Sequence, residues 1–94
     1  MKKDLLKLAY EKGFDYKRIP TLRELQDWLY SEYNIWITIG PDQNELLIAS
    51  IYIFRPEIPE WELKYTTESY LKKLNIAPYV VLENAIEWSL NHLI

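Results

Sequence analysis

Residues 46–54 form a run of strand-favouring side chains that is apolar on both of its faces, and this restricts the chain's folding more than any other segment. Alternation places Leu47, Ala49, Ile51 and Ile53 on one face and Leu46, Ile48, Ser50, Tyr52 and Phe54 on the other. Two further strands flank it. Residues 35–39 alternate Ile35, Ile37 and Ile39 with Trp36 and Thr38, and residues 61–66 alternate Trp61, Leu63 and Tyr65 with Glu62, Lys64 and Thr66. A three-stranded sheet covered by helices on one side leaves its other side to solvent, so an apolar second face needs cover.

Helical segments supply the first cover. Residues 4–12 carry Leu5, Leu8 and Ala9 on one stripe, and Gly13 then offers the left-handed conformation that closes a helix, with Phe14 placed for the closing contact. Thr21 and Glu24 have the spacing of a capping box and open a helix over 22–33 with Leu22, Leu25 and Leu29 inward and Trp28 beside them. Asn34 is placed to end it. Pro41 and its neighbours over 40–44 read as a turn, and 55–59, with Pro56 and Pro59, as a break. Residues 67–74 read as two turns of helix or as a loop. Pro78 suits the first turn of a last helix on which Val81, Leu82, Ala85, Ile86, Ser89, Leu90 and Leu93 recur at helical spacing. The order is therefore α-α-β-β-β-(short α)-α, an α+β fold with a small antiparallel three-stranded sheet packed on helices.

With 94 residues the chain makes one domain, 1–94, able to bury about 60–65% of its unfolded surface. Hydrophobic residues at 49% and charged residues at 27% are those of an ordinary globular protein. Its formal charge of −3 divides into +1 over residues 1–33 and −4 over 34–94, and neither part resembles a phosphate-binding surface. Cysteine is absent, which removes disulfides, thiolate metal sites and cysteine nucleophiles. Leu5 and Leu6 after the two N-terminal lysines are soon interrupted by charge, unlike a signal peptide, and no stretch approaches the ~20 apolar residues of a membrane span. A cytoplasmic location follows as an expectation.

Chemistry-bearing residues are sparse. His92, the single histidine, sits in the last helical turn, where a cation is stabilised by the helix dipole without any catalytic role. Glu57, Glu60 and Glu62 lie on a Pro-punctuated connection and a strand edge, the usual place for solubilising charge, against the alternative of paired hydrolytic carboxylates. Glu83 and Glu87, four apart on the last helix, read as a solvated face. Two glycines, Gly13 and Gly40, permit neither a Walker loop nor a dinucleotide fingerprint. No catalytic, cofactor-binding or metal-binding residue is therefore expected, and no cofactor.

The sequence Glu11-Lys12-Gly13-Phe14-Asp15, then Pro20-Thr21 through Gln26, Trp28-Leu29, Glu32 and Asn34-Ile35, and finally residues 83–90 resemble a set of small proteins of bacteriophages, prophages and mobile elements of gut-type anaerobic bacteria. Those proteins share a "KGFD" helix end, a "PTxxxxQxWL" helix and a closing "YEEALExGL" helix. The chain departs from the last with Leu82 in place of tyrosine, Asn84 in place of an acid and Ser89 in place of glycine. The resemblance implies a phage-like origin and a bacterial cytoplasm. Because no activity is assigned to that family, it transfers no functional residue.

The expected function is thus non-enzymatic: an accessory protein that acts by protein–protein interaction, as a homodimer, through an interface of Trp36, Leu46, Ile48, Tyr52 and Phe54. In the rival arrangement residues 67–74 fold back over the same face within one chain. A nucleic-acid-associated regulator is the second expectation, disfavoured by the lack of basic residues around these aromatics.

Overall fold

The structure is a computed structural model that describes residues 3–15, 18–41, 47–66 and 78–94. Its elements run α1 (Lys3–Glu11), α2 (Leu22–Tyr33), β1 (Ile35–Pro41), β2 (Leu47–Arg55), β3 (Glu60–Thr66) and α3 (Pro78–His92). The sheet is antiparallel with order β1-β2-β3, so the expected α+β class and element order are both present. The expectation for 67–74 lies outside the described residues, as does Leu46.

Local chemistry sets the helix ends. Gly13 adopts φ 105°, and the Phe14 N–H reaches back to the Ala9 carbonyl at 3.0 Å, closing α1 in the manner of a Schellman motif. Phe14 then lies against Trp28 of α2 with ring centroids 5.1 Å apart. At the start of α2 the Thr21 hydroxyl accepts from the Glu24 N–H at 3.1 Å while the Glu24 carboxylate accepts from the Thr21 N–H at 3.4 Å. Both arms of the capping box are formed. Asn34, at φ 58° and ψ 31°, ends α2 in the left-handed region and turns the chain straight into β1.

The core lies between the sheet and the helices. Leu5 and Ala9 of α1, Leu25 and Leu29 of α2, Ile35 and Ile37 of β1, Ala49 and Ile51 of β2, and Val81, Ala85, Ile86 and Leu90 of α3 are all buried. α3 touches α1, α2, β1 and β2, which makes it the central helix. This central position corrects the reading of Glu83 as part of a solvated face. Glu83 is buried, and the helix is enclosed on more sides than one apolar stripe would indicate.

A bulge gives the sheet its second departure from simple alternation. Tyr65 pairs with Ile51 and Leu63 with Tyr52, so Lys64 is an extra residue in β3 with no partner on β2. The period of two is broken there. Trp61 and Leu63 point to the outer face, whereas Tyr65 turns inward, packs against the core and stacks on Trp88 at 4.1 Å with 6° between the ring planes. His92 continues the stack beyond Trp88, at 4.5 Å, and its Nδ1 donates to the Trp88 carbonyl at 2.9 Å.

Candidate interaction surface

The faces of β1 and β2 fall as the alternation requires. Ile35, Ile37, Ala49 and Ile51 are buried toward the helices, and Trp36, Thr38, Ile48, Ser50, Tyr52 and Phe54 stand on the opposite side of the sheet. Four of the residues expected to line a contact, Trp36, Ile48, Tyr52 and Phe54, therefore share one surface. The sequence reading omitted three more from that surface. Trp61 and Leu63 of β3 join it, exposed by 46% and 53%, and Tyr30 reaches it from the last turns of α2 with its ring 5.6 Å from Trp36 and 6.3 Å from Trp61. Their signal was present but incomplete, since the alternation of β3 gave Trp61 and Leu63 a common face without saying which.

Pairing across the strands orders this surface into rows. Phe54 stands beside Trp61, with ring centroids 5.2 Å apart, and the next row is Trp36, Tyr52 and Leu63. Below these come Thr38, Ser50 and Thr66, then Gly40 and Ile48. Large rings occupy one end of the face, hydroxyl residues its middle, and Gly40 and Ile48 the last row described. Trp36, Thr38, Tyr52 and Trp61 enclose a shallow, almost wholly apolar depression of about 300 Å³. None of the side chains in these rows carries a formal charge.

The sheet's two edges differ in character. Phe54 donates to the Asn34 carbonyl at 2.9 Å, which sets the ladder phase and turns the carbonyl of Ile37 away from β2. Gln26 of α2 fills that vacancy, its Nε2 donating to the Ile37 oxygen at 2.9 Å. At the other edge β3 carries Glu60, Glu62 and Lys64 and the bulge, features that hinder addition of a further strand.

The remaining charged groups do not assemble chemistry. Glu62 bonds to Lys64 at 2.8 Å and pairs with Arg55. The Lys64 hydrogen bond, opposed by partial burial and aided by the charge of Arg55, holds its carboxyl below the ordinary carboxylate range. Glu57 and Glu60 are exposed. Glu24 is likewise held low: partial burial works to raise it, and the hydrogen bonds from Arg18 and the Thr21 backbone outweigh that. Asp4, Lys7, Glu11, Glu87 and Asn91 line a polar groove between α1 and α3. Among the described residues no three His, Cys, Asp or Glu side chains come together as a metal site, and no helix is long and apolar enough to cross a membrane. Comparison with known protein families, curated proteins and solved structures gives no match.

Proposed function

We propose that the chain is a phage- or mobile-element-type accessory protein, non-enzymatic, that works through protein–protein interaction and associates with a second copy of itself by the outer face of its sheet. The uncharged aromatic face carries this reading. Tyr30, Trp36, Trp61 and Leu63 expose large apolar groups that meet across one surface, where water gives them no compensation.

Charge at this face does not oppose a second copy as the occupant. Each chain bears −3, so two copies repel over most of their surfaces, but the rows of the outer face bring no like charges together. Shape allows the same contact. The fold is a slab with extents of 37 × 36 × 18 Å, and among the described residues the helices pack on one face of the sheet. Two slabs joined sheet to sheet, ~10 Å apart, make a four-layer particle whose middle is a β-sandwich. Nucleic acid finds no support on this face, because phosphates require Lys or Arg and none stands in its rows.

Tyr52→Arg tests the reading. Tyr52 is half-buried at the centre of the outer face and outside the buried core, so a charge there leaves the fold intact and opposes sheet-to-sheet contact. Light scattering after size exclusion is expected to show half the wild-type mass with an unchanged far-ultraviolet circular dichroism spectrum. A folded variant that keeps the wild-type mass contradicts the assignment of this face.

A further inference from the structure

We draw no further inference here: the strongest candidate, the shallow apolar depression between Trp36, Thr38, Tyr52 and Trp61 on the outer face of the sheet, belongs to the surface already described, and nothing in the structure shows what covers it.

Discussion

Single side chains fix the points at which this chain changes direction. Thr21 is the clearest, because its hydroxyl and the Glu24 carboxylate satisfy two backbone donors that α2 would otherwise leave free. Thr21→Ala is expected to lower stability by about 1 kcal/mol in chemical denaturation, and an unchanged midpoint contradicts this role. Gln26 shows a function that spacing alone does not disclose. Its place on α2 reads as a polar helix position, yet its side chain crosses to the Ile37 carbonyl and satisfies that acceptor on the outer edge of β1. Glu83 is the opposite case, a residue whose sequence neighbours suggested solvent and whose helix lies at the centre of the molecule.

At the scale of elements, β3 decides which rings are available for contact. Lys64 is the residue that the bulge sets aside, so Leu63 and Tyr65 fall on opposite faces although they are two apart. Deleting Lys64 is therefore expected to leave Tyr65 opposite Ile51 in a regular ladder. The Tyr65–Trp88 stack survives, and the loss of the exposed Lys64–Glu62 ion pair lowers stability only slightly. Deleting Ser50 from the regular centre of β2 instead reverses its faces and unfolds the chain. Thermal denaturation of the two deletions checks this, and comparable loss of stability in both contradicts it. The helix limits, strand order and the inward sets of β1 and β2 were legible from caps and periodicity. The bulge was not, because it depends on how β3 meets β2 rather than on the composition of β3. Tyr30 was missed for a similar reason: its contact with Trp36 and Trp61 arises only when Asn34 folds β1 back beside the end of α2.

The whole molecule is a two-layer slab whose helical side is closed around one core and whose sheet side presents Trp36, Tyr52, Phe54, Trp61 and Leu63. In the proposed pair, burial of this face against a second copy would supply the cover that the double-sided apolar strand requires, and no charged side chain stands in its rows. The mass of the wild-type protein in solution tests that claim most directly. Sedimentation equilibrium at micromolar concentration is predicted to give twice the 11.4 kDa mass of the chain, whereas a single species at 11.4 kDa contradicts the account.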